Sequence, residues 1–213
     1  MRGLFITLEG PDGSGKTSQV SLLRDFLQAA GYRVFCTREP GGTSIGDQIR
    51  QVLLANRNAE MHPRTEILLF QASRAQLVEE VILPRIAQGE IVICDRYADS
   101  TLAYQGYGHQ VDLGQLQAII NFATGGLKPD LTLLFDVDAE TGLRRRQQEG
   151  GVNRLDAFAL EFHHRVRAGY HTLAAAEPER WLTIDASQAI AEVQAALQQA
   201  VSGWLATHRL TSD

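Results

Sequence analysis

Short apolar runs alternate along this chain with longer segments whose apolar residues recur at helical spacing, the pattern of strand-helix-strand units and hence of a parallel sheet. Five runs have strand length: Leu4 to Leu8, Tyr32 to Thr37, Ile91 to Cys94, Leu131 to Phe135 and Trp181 to Ile184. Between them, Ser18 to Ala30 repeats Val20, Leu22, Leu23, Phe26 and Leu27 on one helical face and stops at Gly31, and a second helical pattern runs through Ile45, Ile49, Val52 and Leu53. Pro63 opens a long helix to about Gln88, bent near Pro84 because proline lacks the N–H an uninterrupted helix needs. Leu113 to Thr124, Thr141 to Gln148, Ala157 to Glu177 (with Phe158, Phe162, Val166 and Tyr170 in phase) and Ala189 to Leu205 complete the helices, and no internal repeat interrupts the series. The pattern predicts one α/β domain over residues 1–213, a five-stranded parallel sheet with helices on both faces. Ser100 to Gln105 breaks the rule. It is polar and aromatic where a buried helix would be apolar, and it reads as the wall of a site.

Composition narrows the class. At 213 residues with 44% hydrophobic and 21% charged positions, the chain has enough apolar material for one sizeable core. A formal charge of -5 argues against a protein that coats nucleic acid. Cys36 and Cys94 sit in apolar strands without metal-ligand spacing and read as reduced thiols of a cytoplasmic protein. The N-terminus enters the first strand at once, and no apolar run approaches the roughly 18 residues needed to span a bilayer, so no membrane segment is expected. The six histidines form no ligand cluster, which leaves no structural metal to assign.

The chemistry is concentrated after the first strand. Gly10, Gly15, Lys16 and Thr17 fit G-x-x-x-x-G-K-[ST], and strand, glycine loop and helix follow in the order a phosphate cradle requires. Residues Gly10, Pro11, Asp12, Gly13, Ser14, Gly15, Lys16, Thr17 and Ser18 then surround the phosphates of ATP; Lys16 neutralises their oxygens and the helix N-terminus adds its dipole. Lysine occurs only at positions 16 and 128, so the loop lysine is not one of a crowd. The third strand ends in Asp95, the expected carboxylate partner of Thr17 around Mg2+. Arg38 lies at the carboxyl edge of the sheet, where α/β proteins bind ligands, as a ligand cation or as a solvated surface arginine, and Arg96 aims a second cation at the same edge. Phe70 and Arg74 share a helix face, and ring plus guanidinium suit a nucleobase, although Phe70 taken alone is more often a core residue. Arg144, Arg145 and Arg146 cannot all face one ligand, because neighbours on a helix are about 100° apart. One or two of them bind phosphate, or the run is a solvated face; the adjoining Gly150-Gly151 looks like a segment able to close over a site. Together these residues describe a phosphoryl-transfer enzyme with a second, nucleotide-like substrate. A nucleotide-switch GTPase shares the loop, but the chain lacks Asn-Lys-x-Asp for guanine; another nucleoside or nucleoside-monophosphate kinase is the nearer alternative.

The motifs EGPDGSGKT, TREPGGT, LLFQASRAQ, DRYADSTLAYQG, GLKPDLTLLFDVD and NRLD, in that order and followed by RVRAGY, resemble bacterial thymidylate kinases over nearly the whole length. The resemblance implies a P-loop nucleotide-kinase fold with a small mobile lid at about residues 144–156, and transfer of the ATP γ-phosphate to dTMP to give ADP and dTDP for dTTP synthesis. It implies a homodimer, a role for Asp12 at the sugar 3′-hydroxyl, for Arg38 and Arg96 on the dTMP phosphate, and for Phe70 stacked on thymine. By the same resemblance Arg74 donates to thymine O4, Tyr104 crowds the sugar 2′ position, Ser100 and Gln105 line the pocket, and Glu9 lies beside the phosphates. Pro11 to Ser14 holds no basic residue, so the chain resembles the type whose catalytic arginine comes from the lid, with Arg144 and Arg154, on either side of the Gly150-Gly151 break, as the candidates. Asn153 and Asp156 stand where the common lid motif has aspartate and glutamate.

Overall fold

A computed structural model of the chain describes residues 2–148 and 158–208. Five parallel strands, β1 (Phe5–Glu9), β2 (Val34–Arg38), β3 (Ile91–Asp95), β4 (Leu131–Asp136) and β5 (Trp181–Asp185), lie in the order β2-β3-β1-β4-β5. All five were anticipated, each within two residues of its predicted start. The order doubles back at β1, and in such sheets the crevice beyond the carboxyl ends is the natural ligand site.

Alternation along the strands decides what each face carries. Ile6 and Leu8 of β1, with Ile91 and Ile93 of β3, pack on Leu23 and Leu27 of α1 (Lys16–Ala29) and on Leu197, Val201 and Trp204 of α9 (Ile190–His208). Phe5, Val92 and Cys94 face the other way, onto Leu77 of α3 (Pro63–Leu77) and Ile86 of α4 (Leu83–Ala87). Further along that face, Leu134 of β4 meets Val166 and Tyr170 of α8 (Leu160–Ala176). The same parity fixes two site residues. Asp95 shares the side of Ile93 and so turns toward α1, whereas Glu9 shares the side of Phe5 and turns toward α8.

One helix departs from expectation, and the polar segment forms the expected site wall in helical form. The predicted Pro63-to-Gln88 helix is α3 and α4 joined by a π turn at Val78–Ile82, immediately before Pro84; the wider turn accommodates a residue that cannot donate to the preceding turn. Ser100 to Gln105 lies within α5 (Ala98–Thr101) and a π-helical continuation, Leu102–Gly108, in which Tyr104 and Gln105 are buried. Its polar groups thus sit inside, where they need partners. The remaining helices are α2 (Ser44–Leu54), capped by Thr43 Oγ1 accepting from Gly46 N–H, α6 (Leu113–Thr124), capped by Asp112, and α7 (Ala139–Gln148).

Candidate active site

A cavity of about 290 Å³ opens at the carboxyl edge of β1, β2 and β3. Asp12, Gly13, Gly15, Lys16, Thr17 and Ser18 of the glycine loop line it; Gly10, Pro11 and Ser14 instead serve Lys16, whose ammonium donates to Gly10 O (2.9 Å), Pro11 O (2.8 Å) and Ser14 Oγ (2.9 Å). Burial, reinforced by the charge of Arg96, pulls the Lys16 ammonium down to about 7. A polyphosphate at the loop would reverse that shift, because it gives the ammonium an anion in place of neutral carbonyls. Thr17 Oγ1 donates to Asp95 Oδ2 at 2.8 Å, so a hydroxyl and a carboxylate converge beside the loop. Two hard oxygen donors suit magnesium whose other positions are filled by phosphate and water oxygens. Among the described residues no group of three or more histidine, cysteine, aspartate or glutamate side chains is placed for a metal.

The loop leans directly on α7. Gly13 has φ +72°, and a Cβ there would come within 1.9 Å of Gly142 O; a Cβ on Gly142 would come within 2.4 Å of Asp12 O. Both positions must be glycine for helix and loop to touch backbone to backbone.

Arg96 is a hub of hydrogen bonds at the cavity. Its guanidinium donates to Gly10 O, Ser100 Oγ and Tyr170 OH through Nη1, and to Asp12 (2.7 Å) and Tyr104 OH (3.2 Å) through Nη2. Tyr104 OH in turn donates to Asp12 Oδ2 at 2.6 Å. Burial pushes the Asp12 carboxyl up, but Arg96, Lys16 and Tyr104 outweigh it and hold it below the usual carboxylate range. Arg38 also lines the cavity, paired with Asp47 at 3.2 Å. A third cation, Arg50, joins them, half-buried and donating to Pro40 O. Sequence reading passed over Arg50; the signal was its place one turn after Asp47 on the α2 face that meets the Arg38 loop.

Phe70 and Arg74 both line the cavity from α3. Arg74 is buried, and all five of its N–H hydrogens have protein acceptors: Glu39, Gln71 Oε1, Thr101 Oγ1 and Tyr97 O, with the closest Glu39 contact at 2.6 Å. A base carbonyl would share one of these hydrogens rather than claim an idle one. Glu39 was also missed in the sequence. Burial raises its carboxyl and Arg74 opposes the rise, an ion pair whose role is to fix the wall.

Glu9 departs from expectation. It does not line the cavity; strand parity sends it inward, where it accepts from Tyr97 N–H (2.7 Å), Ser100 Oγ (2.6 Å) and Tyr170 OH (3.0 Å). Burial first, then the Asp99 charge, push its carboxyl up to about 7, against the pull of Ser100 and Arg96. Since Ser100 and Tyr170 also accept from Arg96, Glu9 braces the cation from behind.

The three consecutive arginines of α7 diverge, as the 100° step requires. Arg144 is exposed and donates to Thr141 Oγ1; Arg145 is tied to Ala186 O (2.7 Å) and Ser187 O (2.9 Å); only Arg146 of the three lines the cavity. Arg154, Gly150-Gly151, Asn153 and Asp156 lie outside the described residues.

A glycine loop feeding a helix, a carboxylate on the adjacent strand and converging arginines beside an aromatic wall define a P-loop phosphotransferase acting on a nucleotide. The thymidylate kinase family model matches residues 8–197, and the chain belongs to that family. It is 52% identical to the thymidylate kinase of Roseiflexus castenholzii, over 96% of this chain and 95% of that protein. It is 51% identical to that of Deinococcus radiodurans, over 94% and 97%. The crystal structure of thymidylate kinase from Ehrlichia chaffeensis superposes with a TM-score of 0.78 at 33% identity, covering 95% of this chain and 99% of that one. The nucleotide-switch reading is not favoured.

Proposed function

We propose that the chain transfers the γ-phosphoryl group of ATP to dTMP, giving ADP and dTDP, as one domain with a lid at about residues 144–156. The observation that carries this reading is one cavity that brings Lys16 and the Thr17–Asp95 pair together with Arg38, Arg50 and Arg96 and with Phe70, Tyr104 and Gln105. In this reading Lys16 exchanges its loop carbonyls for donor phosphate oxygens. Arg38, Arg50 and Arg96 hold the acceptor phosphate, which only a nucleotide already phosphorylated would need. Asp12, with its charge secured by Arg96, accepts from the sugar 3′-hydroxyl; Phe70 stacks on the base, Arg74 shares a hydrogen with its O4, and Tyr104 crowds the 2′ position. Bound Mg2+, held by Thr17 and Asp95, supplies charge neutralisation to the polyphosphate. Arg146 is the lid-arm arginine that meets the migrating phosphoryl, whose charge spreads over its oxygens in the transition state.

The same reading makes the protein a cytoplasmic homodimer. No helix among the described residues is long and apolar enough to cross a membrane. Phe122 on α6 is 91% exposed and Leu68 on α3 59% exposed, on helices that pack together, and Ile45 and Val52 are exposed on α2, which also packs on α3. A second copy would cover this apolar face.

A coupled ADP-release assay across dTMP, dUMP, dCMP, dGMP and thymidine tests the proposal. Preference for dTMP, lost on chelation of magnesium, is expected. Turnover of thymidine or dCMP at the dTMP rate would overturn it.

A further inference from the structure

Gln105, only 3% exposed, lines the cavity from the π-helical segment, and its Nε2 donates to Glu66 Oε1 at 2.8 Å. Glu66 reaches it from α3 and is itself 1% exposed. A carboxylate has no hydrogen to give, so the amide nitrogen must face Glu66 and the amide oxygen must face away from it. Among the described residues no donor meets Gln105 Oε1. The neighbouring Arg74 has every N–H committed, so what this part of the wall holds in reserve is an acceptor. An unpaired carbonyl oxygen at the wall of the cavity calls for a donor on the ligand.

We propose that Glu66 is a positioning residue for base selection: by holding the Gln105 amide nitrogen it turns the amide oxygen into the cavity, where it accepts a ring N–H and so favours thymine over cytosine. Thymine carries a hydrogen on ring N3, whereas cytosine presents a lone pair there and would leave two acceptors face to face. Glu66 touches no substrate atom. It also lies 3.8 Å from His109 Nε2, and its effect on the base passes through the orientation of Gln105. This inference rests on the acceptor being a pyrimidine nucleoside monophosphate.

The test measures kcat/KM for dTMP and dCMP in the wild type, in Glu66→Gln and in Glu66→Asp, with KM for ATP and Tm alongside. In Glu66→Gln the new amide can donate to Gln105 Oε1, so the Gln105 amide is free to turn over and present its N–H to the cytosine lone pair. The dTMP:dCMP ratio is expected to fall at least tenfold in Glu66→Gln, with KM for ATP unchanged, and to be largely restored by Glu66→Asp, which keeps a carboxylate. A merely structural Glu66 would lower both substrates together and leave the ratio in place, which would overturn the inference. A second measurement needs no variant: N3-methylated dTMP, which lacks the hydrogen, should bind the wild type at least tenfold more weakly than dTMP, and equal binding would also overturn it. If the wild type itself shows no preference for dTMP, the functional reading fails; if it does and Glu66→Gln keeps that preference, only the present inference fails.

Discussion

In the proposed reaction Lys16 and Asp95 act on phosphate charge rather than on packing, one within a glycine loop and the other at a strand end beside Thr17. Alanine at either position is expected to abolish turnover, a loss of roughly 10²-fold or more, while the circular dichroism spectrum stays native. Glu9 behaves differently because its charge is buried. Its folded pKa of about 7 lies above its ordinary 4.5, so the proton it holds contributes stability that is complete below the ordinary value and is lost as pH rises through 7. The urea midpoint of the wild type relative to Glu9→Gln should therefore fall between pH 5 and pH 8; a constant difference would show that the carboxyl titrates normally. These residues also mark how much of the site the sequence could disclose. Lys16, Thr17 and Asp95 were legible because a local motif and a strand end dictate their chemistry. Glu39, Arg50 and the inward turn of Glu9 were not, because each depends on which face of an element meets a distant one.

Helices and strands were legible wherever apolar periodicity was strong, which covers all five strands. Periodicity was silent on how a helix accommodates proline, so the π turn before Pro84 went unread, and polar content disguised the buried helical segment after α5. The arginine run on α7 shows the same limit in a functional element. Composition named three candidates, but only backbone placement separates Arg145, clamped to the loop after β5, from Arg146 at the cavity. Arg146→Ala is expected to lower kcat by roughly 10²-fold with little change in dTMP affinity, the mark of an interaction made in the transition state. Arg144→Ala, at an exposed position bonded only to its own helix, should leave kcat near the wild-type value. Steady-state kinetics of the two variants side by side checks both.

For the molecule as a whole, the exposed apolar residues of α2 and α3 lie on helices that also line the cavity, since Phe70 and Arg74 belong to α3 and Arg50 to α2, and Phe122 lies on α6, which packs on α3. A dimer through these residues would press on the cavity wall directly. Phe122→Asp is expected to give a monomer by sedimentation velocity and, because it loosens α3, to raise KM for dTMP more than KM for ATP. The backbone contact between Gly13 and Gly142 constrains the molecule as well. Any side chain at position 13 would run into the first turn of α7, and an α7 withdrawn to admit it would carry Arg146 away from the cavity. Position 13 therefore cannot take a side chain while α7 keeps its present contact, and in the proposed reaction delivery of the cation from α7 is tied to glycine at both positions.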